Sequence, residues 1–313
     1  MHEYIPNTNI FTIDAHFYER PELVSVHLVR SADRIAIIDT GNIHSITLIE
    51  AGLTQLQLGF DAVDFIILTH VHLDHAGGAS HLMAVCNNAS LIVHPKGARH
   101  MADPQRLIDG TVAVYGEEFF KTVYGDIKPI DEDRIITPSD KESIDFSGRE
   151  LVFIDTPGHA NHHHCIIDPL TQSAFTGDTL GISYLDLRDD KQAFMTPTTT
   201  PVQFNPEALH ESINKVMSYQ PKTLYLTHYS AIKPTIKNIA SLHEQIDDYV
   251  MLTQQCADED NFEEMLTERL QNYVAVRCMN EVPSIESETV RNSLLFDSRL
   301  NAQGLVFWWK NRS

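Results

Sequence analysis

The sequence predicts an α/β or α+β fold followed by a mostly helical C-terminal part. Up to about residue 230, short β-branched or apolar runs recur, and such runs are typical of buried strands. Helix-like segments lie between some of them. After about residue 231 the strand pattern stops, and polar, acidic, helix-like sequence follows. The predicted strands are IAIID at 35–39, FIILT at 65–69, LIVH at 91–94, LVFID at 151–155, SAFTG at 173–177 and TLYLT at 223–227.

Three helical segments are predicted within the first 230 residues. One helix is expected at about 45–58 and another at 206–219, where Asn205 offers an N-cap and Pro206 suits the first helical position. The third segment, 103–131, has no strand alternation and carries aromatic residues at helix-like spacing. We interpret it as a helical insertion whose aromatics form local core. These aromatics are Tyr115, Phe119, Phe120 and Tyr124.

The rest of the chain is predicted as one loop and one extension. The segment 181–205 is rich in Thr and Pro, which favours an irregular surface loop that can contact substrate. Residues 231–313 contain few large apolar groups outside two clusters, so we expect a helical extension that packs on the main domain. The predicted domains are therefore 1–230 and 231–313.

The composition limits the partners that this protein can have. The chain has 313 residues, 42% of them hydrophobic, and a formal charge of −20. Proteins that bind nucleic-acid phosphates usually present a basic face, so this charge disfavours a nucleic-acid partner. No apolar stretch approaches the roughly 20 residues of a membrane helix, and the N-terminus does not resemble a signal peptide. We expect a cytoplasmic monomer or homodimer that acts on a small molecule, without a membrane or nucleic-acid partner.

The four cysteines lie far apart in the sequence and have no CxxC spacing. They therefore predict neither a structural zinc nor a redox pair. We expect Cys86, Cys165, Cys256 and Cys278 to be buried thiols.

The run THVHLDH at 69–75 carries the chemistry. It presents His70, His72, Asp74 and His75 directly after a predicted strand, and imidazole and carboxylate are the ligands that zinc-like metals prefer. A strand points residues 70 and 72 to the same side, and a following turn can swing the next two side chains towards a neighbouring point. One short loop can thus supply ligands to two adjacent ions.

Three further ligands follow other predicted strands. His159 stands in the TPGH turn after 151–155, Asp178 follows 173–177, and His228 follows 223–227. Functional sites commonly form where sheet edges meet loops, so this coincidence strengthens the prediction of a metal site. We expect surface or packing roles for His81, His94 and His100. For the run 162–164 we expect roles behind the ligands or in lining a groove.

The motifs THVHLDHAGG, TPGH, TGDT and LTH, in this order, resemble the metallo-β-lactamase superfamily, and their spelling is most similar to its glyoxalase II-like hydrolases. The resemblance covers about residues 10–230 and implies a four-layer αββα sandwich. It also implies that Asp39 and Gly41, in IIDTG at 37–41, support the site. The implied ligands are His70, His72 and His159 for the first metal, Asp74, His75 and His228 for the second, and Asp178 as a bridge between them.

The expected activity is metal-dependent hydrolysis. Two divalent ions, with Zn²⁺ as the first candidate and Fe or Mn as alternatives, can lower the pKa of a bridging water and leave a hydroxide near neutral pH. Asp74 can orient that water or accept its proton. No cluster of Lys and Arg is evident in the C-terminal sequence, which favours a weakly charged ester, thioester or lactone as substrate. The alternatives are an iron-dependent redox enzyme similar to persulfide dioxygenases, a metal-dependent phosphodiesterase, and a binding protein on an inactivated scaffold.

Overall fold

The computed structural model describes residues 1–2, 5–199 and 202–312, except for the side chains of residues 19, 114 and 115. The side chain of Tyr115 and two residues of the predicted loop therefore lie outside the described residues. The strands are β1 (Ile10–Asp14), β2 (Ser25–Ser31), β3 (Arg34–Ile38), β4 (Val63–Ile67), β5 (Ser90–Ile92), β6 (Ile135–Ile136), β7 (Ser143–Phe146), β8 (Arg149–Asp155), β9 (His164–Asp168), β10 (Ser173–Gly177), β11 (Thr223–Leu226) and β12 (Ser230–Ile232). The helices are α1 (Ser45–Gln55), α2 (Leu73–Ala76), α3 (Ala79–Val85), α4 (Pro95–Ala102), α5 (Gln105–Tyr115), α6 (Glu117–Val123), α7 (Pro206–Ser218), α8 (Ile236–Cys256), α9 (Phe262–Glu281), α10 (Ser287–Ser293) and α11 (Leu295–Asn311).

The chain divides into two compact units. The first comprises Met1–Asp155 and His162–Gly177, and the second comprises Thr156–Asn161 and Asp178–Ser313. The α/β class with a helical C-terminal region is confirmed by the order of the elements. The predicted domain boundary near residue 230 stays a prediction.

The first unit contains a mixed sheet whose strands run in the order β1-β2-β3-β4-β5-β6. Strands β1 to β3 are antiparallel neighbours, whereas β3 to β6 are parallel. Parallel strands present their carboxyl ends at one edge of a sheet, where binding sites of α/β proteins commonly form. Asp39 follows β3, the loop 70–75 follows β4, and His94 follows β5, so this edge collects polar residues from three strands.

The core of this sheet explains why its strands form. Ile37, Ile66 and Leu91 from β3, β4 and β5 are fully buried, together with Leu53 of α1 and Leu82 of α3. Burying an aliphatic side chain of this size contributes about 1.5–3 kcal/mol. The β-branched runs recognised in the sequence are therefore the interior of the sheet, and the helices cover it.

A second group of strands in the first unit packs against this sheet. Strands β7 to β10 form an antiparallel meander. The ring of Phe146 lies 5.9 Å from that of Phe65, and the ring of Phe175 lies 5.5 Å from that of His27, measured between centroids. Since these pairs join the meander to β4 and β2, the two groups of strands face each other as the layers of a sandwich do.

The helical insertion is confirmed as α5 and α6, which occupy much of 103–131. Phe120 and Tyr124 are buried, and their cluster includes Leu73 in the ligand-rich loop. The insertion therefore packs against the loop that carries the candidate ligands, and these aromatics form local core as expected.

In the second unit, β11 and β12 form an antiparallel pair in which Leu226 lies opposite Ser230. His228 stands in the turn between these strands. Helix α7 begins as predicted, because the Asn205 side chain accepts a hydrogen bond from the N–H of Ala208 at 2.9 Å and Pro206 is its first residue. Such an N-cap satisfies a backbone donor that has no partner within the helix.

The prediction of a surface loop at 181–205 is wrong in one respect. The segment is largely irregular, but residues 181–184 and 194–199 are buried. Polar side chains of the C-terminal helices satisfy its backbone. Gln245 of α8 donates to the carbonyl oxygen of Met195 at 2.7 Å, and Asn301 of α11 accepts from the N–H of Thr199 at 2.7 Å. Polar residues of the helical C-terminal region therefore stabilise this loop through hydrogen bonds to its backbone.

The four cysteines are free and buried, which confirms the expectation of isolated thiols. Burial raises the pKa of the Cys86 thiol to about 12, so this group is protonated and unreactive at neutral pH. Among the described residues, no helix has the length and apolar character needed to cross a membrane.

A buried ion pair in the first unit gives a stability prediction. The side chains of Arg149 and Asp168 are 1% and 0% exposed, and Arg149 also donates to the carbonyl oxygens of Thr8 and Arg30 at 3.1 and 3.0 Å. Arg149→Met should lower the free energy of unfolding by about 3–5 kcal/mol, because Asp168 then stays buried without its cation. Urea unfolding followed by circular dichroism measures this change.

The matched control is Lys121→Met, which removes the exposed pair between Lys121 and Glu117. Its urea midpoint should stay at the wild-type value, since exposed ion pairs contribute little. Equal midpoints for both variants would contradict a stabilising role of the buried pair.

Candidate metal centre

The loop after β4 presents four side chains that can bind metal. His70 and His75 are fully buried, and the Asp74 side chain is 30% exposed. Helix α2 begins directly after His72, and the N–H of His75 donates to the carbonyl oxygen of His72 at 3.0 Å. This turn folds the run back on itself. Ligand atoms then lie within 4.8 Å of each other in three pairs: His70 with His72, His70 with His75, and Asp74 with His75.

Asp39 fixes the orientation of His75. The Asp39 carboxylate accepts the N–H of Thr69 at 2.8 Å and the Thr69 hydroxyl at 2.9–3.0 Å, and its Oδ2 lies 2.8 Å from His75 Nδ1. Because Nδ1 is engaged there, His75 directs Nε2 towards Asp74, whose Oδ2 is 3.6 Å away. A carboxylate behind an imidazole selects its tautomer and raises its basicity as a metal ligand.

In the second unit, the Asp178 carboxylate lies between two imidazoles. Its Oδ2 is 3.5 Å from His159 Nε2, and its Oδ1 is 3.7 Å from His228 Nε2. Each oxygen therefore faces a different histidine. This is the arrangement expected of a carboxylate that ligates two neighbouring ions, one through each oxygen.

Two local features hold His159 in place. Gly158 has a φ of +129°, and a Cβ at this position would lie 2.4 Å from the backbone of Leu209, so only glycine fits before the ligand. The Thr198 hydroxyl lies 2.8 Å from His159 Nδ1, which leaves Nε2 for Asp178. No sequence pattern identifies Thr198, because the segment MTPTTTP has no periodicity from which its contact could be inferred.

The distances between these donors fit divalent metal ions. Two ligands of one tetrahedral zinc, each about 2.1 Å from it, stand about 3.4 Å apart. A hydrogen bond from nitrogen to oxygen spans about 2.7–3.2 Å. The imidazole–carboxylate pairs in the two units measure 3.5–3.7 Å: His159–Asp178, His228–Asp178 and His75–Asp74. They are too long for hydrogen bonds and close to the spacing of two ligands on a shared ion.

His94 has a structural role outside this set of donors. Its Nδ1 accepts the N–H of Lys96 at 3.1 Å and so caps α4, and its Nε2 lies 2.9 Å from Asp155 Oδ1. His81 and His100 are partly buried, and burial lowers the pKa of both imidazoles. These three histidines therefore have capping or packing roles, as expected from the sequence.

The run 162–164 lies behind the loop 70–75. The His163 ring stacks on His70 with centroids 4.9 Å apart, and His162 Nδ1 lies 3.5 Å from the backbone nitrogen of Val71. His164 Nε2 lies 2.8 Å from the carbonyl oxygen of Leu68. Burial lowers the pKa of His164 to about 3, so it is neutral and donates to that carbonyl. These histidines support the loop through packing and hydrogen bonds.

Comparison with known proteins identifies the family to which these motifs correspond. The sequence profile of the Metallo-beta-lactamase superfamily matches residues 20–228, which include all seven predicted ligands. The chain is 28% identical over 236 residues to the Metallo-beta-lactamase fold-containing protein ST1585 of Sulfurisphaera tokodaii, a match that covers 74% of this chain and 82% of that protein.

The chain is also similar in sequence to a protein named as a thioesterase and in structure to a protein of the same superfamily. Over 178 residues the chain is 28% identical to Acyl-coenzyme A thioesterase MBLAC2 of Gallus gallus, covering 55% of this chain and 63% of that protein, which is less than two thirds of its length. The crystal structure of the metallo-beta-lactamase family protein TTHA1429 from Thermus thermophilus superimposes with a TM-score of 0.65 at 17% identity, covering 98% of this chain and 94% of that one. At this identity the likeness shows the fold alone.

The role of Asp39 can be tested through metal affinity. Asp39→Asn keeps a residue that tolerates the left-handed backbone at this position, where φ is 53°. Metal affinity should fall about 10- to 100-fold, because the amide no longer supplies the charge behind His75. Competition with a chromophoric chelator measures it. Asp64→Asn, which alters the carboxylate that pairs with Arg34, is the control and should bind metal as wild type does. Equal affinities for the two variants would exclude the orienting role.

Proposed function

Because the chain belongs to the metallo-beta-lactamase superfamily and is a metal-dependent hydrolase, we propose that it hydrolyses a small thioester with two divalent ions. Esters and lactones are the related alternatives. The family match and the structural similarity confirm the α/β metallo-β-lactamase sandwich predicted from the motifs. The observation that carries the dinuclear proposal is the Asp178 carboxylate, whose two oxygens face two different histidines.

In this proposal, seven residues hold the two ions, with Zn²⁺ as the first candidate. The matched profile spans the whole set, and the imidazole–carboxylate spacings within each unit support it. The proposed ligands are His70, His72 and His159 for one ion, Asp74, His75 and His228 for the other, and Asp178 for both. Asp39 and Thr198 orient two of these imidazoles.

The proposed reaction assigns separate roles to the bound ions and to Asp74. When bound, the ions lower the pKa of a water molecule and polarise the carbonyl oxygen of the substrate. Asp74 is the partly exposed carboxylate of the set, so it can orient the attacking water and accept its proton. A C–O bond forms to the acyl carbon, the C–S bond breaks, and the products are a carboxylic acid and a thiol. No side-chain nucleophile is needed.

The leaving group favours a thioester over an alkyl ester. An alkoxide must be protonated as it leaves, whereas a thiol with a pKa of about 8.5 can leave as the thiolate. Tyr184, which lies six residues after Asp178, directs its hydroxyl to Asp297 at 3.1 Å and is engaged in that hydrogen bond. The similarity to a protein named as an acyl-coenzyme A thioesterase points the same way.

Metal content tests the dinuclear proposal. Protein purified without added metal should contain close to two zinc-like ions per chain by elemental analysis. Asp178→Asn should reduce this content and abolish hydrolysis, because the amide has no charge and one oxygen to offer. Asp155→Asn is the matched control, since the Asp155 carboxylate pairs with His94, and it should retain both ions. One iron per chain, with oxygen consumption, would instead support the redox alternative.

A substrate panel tests the bond that is cleaved. Thioesters, lactones, aryl esters, β-lactams and phosphodiesters should be compared by kcat/KM with the same metal-loaded protein. We expect thioesters to rank first because of their leaving group. Selective turnover of phosphodiesters would contradict the proposal and support the phosphodiesterase alternative.

A further inference from the structure

A cavity of about 300 Å³ in the second unit is lined by basic side chains from separate parts of the chain. It lies between the segment 188–193, strand β12 with the residues after it, and the start of α8. We call this cavity the basic pocket. Its cations are Arg188, Lys191, Lys233 and Lys237. In a chain with 23 basic and 43 acidic residues, a cavity lined by more cations than carboxylates departs from the average composition.

Two cations of the basic pocket, Lys233 and Lys237, have no carboxylate partner among the described residues. Lys237 Nζ donates to Gln192 Oε1 at 3.1 Å and to the carbonyl oxygen of Glu281 at 3.4 Å, both neutral groups. Lys233 takes part in no hydrogen bond or ion pair among the described residues. Arg188 donates to the carbonyl oxygens of Tyr229 and Ala231. Because carbonyl and amide acceptors do not neutralise a cation, Lys233 and Lys237 can attract a further anion.

The basic pocket is lined by fewer carboxylates than cations, and two of these carboxylates accept hydrogen bonds from neighbouring side chains. Asp189, Asp190 and Glu281 line the same cavity. Asp189 accepts the hydroxyl of Ser284 at 2.7 Å, and that hydrogen bond, with those from two backbone N–H groups, lowers the pKa of its carboxyl. Glu281 accepts Arg277 Nε at 2.7 Å. The charge of Lys191 also acts on Asp189. Four cations therefore face three carboxylates, and Asp189 and Glu281 also accept hydrogen bonds from Ser284 and Arg277. The positive end of the 21-residue helix α8 adds to this potential.

The basic pocket lies on the same hairpin as a proposed metal ligand. Arg188 binds the carbonyl of Tyr229, the residue directly after His228, and Ala231 lines the pocket. A chain advances at most about 3.6 Å per residue, so Ala231 lies within about 11 Å of His228. A leaving group that extends about 11 Å from His228 is therefore long enough to span this distance.

We propose that the basic pocket binds the phosphate groups of a thiol carrier, so that the substrates are phosphorylated thioesters of the coenzyme A type. This inference rests on the proposed thioester hydrolysis and names its substrate class. It also revises the weakly charged substrate expected from the sequence. The cations are dispersed between residues 188 and 237, and they form a cluster only when β12 and α8 meet the segment 188–193.

The test compares two thioesters that differ in their phosphates. The metal-loaded protein is assayed with one acyl group carried on coenzyme A and on pantetheine, which has the same thiol arm without phosphate. In the wild type, kcat/KM should be about tenfold or more higher for the coenzyme A thioester, through a lower KM. In the double variant Lys191→Gln/Lys233→Gln this ratio should fall towards one. A tenfold change corresponds to ~1.4 kcal/mol.

Lys310→Gln is the matched control, because it removes an exposed positive charge on α11 that does not line the pocket. It should keep the wild-type ratio. Binding of desulfo-coenzyme A, measured by calorimetry, supplies a readout independent of turnover. Its affinity should fall in the double variant and also with added salt, since salt screens exposed charges.

The outcomes separate the two proposals. Equal kcat/KM for both thioesters, with desulfo-coenzyme A binding unaffected by the double substitution, would overturn the phosphate site while leaving thioester hydrolysis supported. Lysine-dependent binding of desulfo-coenzyme A without cleavage of either thioester would support the phosphate site and overturn the proposed hydrolysis.

Discussion

Asp39 lies just after β3 and joins that strand to the loop that carries four of the proposed ligands. Its carboxylate holds the backbone of Thr69, where the loop begins, and the imidazole of His75, where the loop turns into α2. One buried group therefore sets both the path of the loop and the face that His75 presents. Without it, the N–H of Thr69 would lose a charged acceptor in the interior, and His75 could adopt the other tautomer. The direction of the remaining donors in the loop depends on this anchor.

In the second unit, a hydrogen-bond partner on one ring nitrogen likewise orients a proposed histidine ligand. Thr198 engages one nitrogen of His159, so the other nitrogen is directed to Asp178. Thr198 itself belongs to the buried stretch 194–199, whose backbone is bonded by polar side chains of the C-terminal helices, such as Gln245 and Asn301. The helical region therefore does more than cover apolar surface. It holds a loop that in turn orients a proposed metal ligand.

The candidate metal centre and the basic pocket differ in the charge of the ligand that each favours. The candidate metal centre contains buried imidazoles and carboxylates, which favour divalent cations. The basic pocket has four cations against three carboxylates, and Lys237 donates to neutral acceptors, which favours anions. On a molecule with a formal charge of −20, a local basic site is needed to attract a phosphorylated substrate against the overall field. The net charge of the chain is therefore compatible with a small phosphorylated substrate.

Six strands, the helices at 45–55 and 206–218, and the buried thiols could be predicted from the sequence, because periodicity, caps and apolar runs act over a few residues. The predicted runs match β3, β4, β5, β8, β10 and β11 to within two residues, whereas the other described strands, such as β1, β2 and β9, were not predicted. The order of the motifs was also sufficient to predict the family. The resemblance implied that Asp39 supports the site, but the sequence could not predict its partner His75, which lies 36 residues away. It also could not predict the contact of Thr198 with His159. The burial of residues 181–184 and 194–199 and the formation of the basic pocket likewise depend on which distant elements pack together. Local patterns determine where a strand ends and which side chain stands there, whereas only tertiary packing decides which side chains meet and which are removed from water.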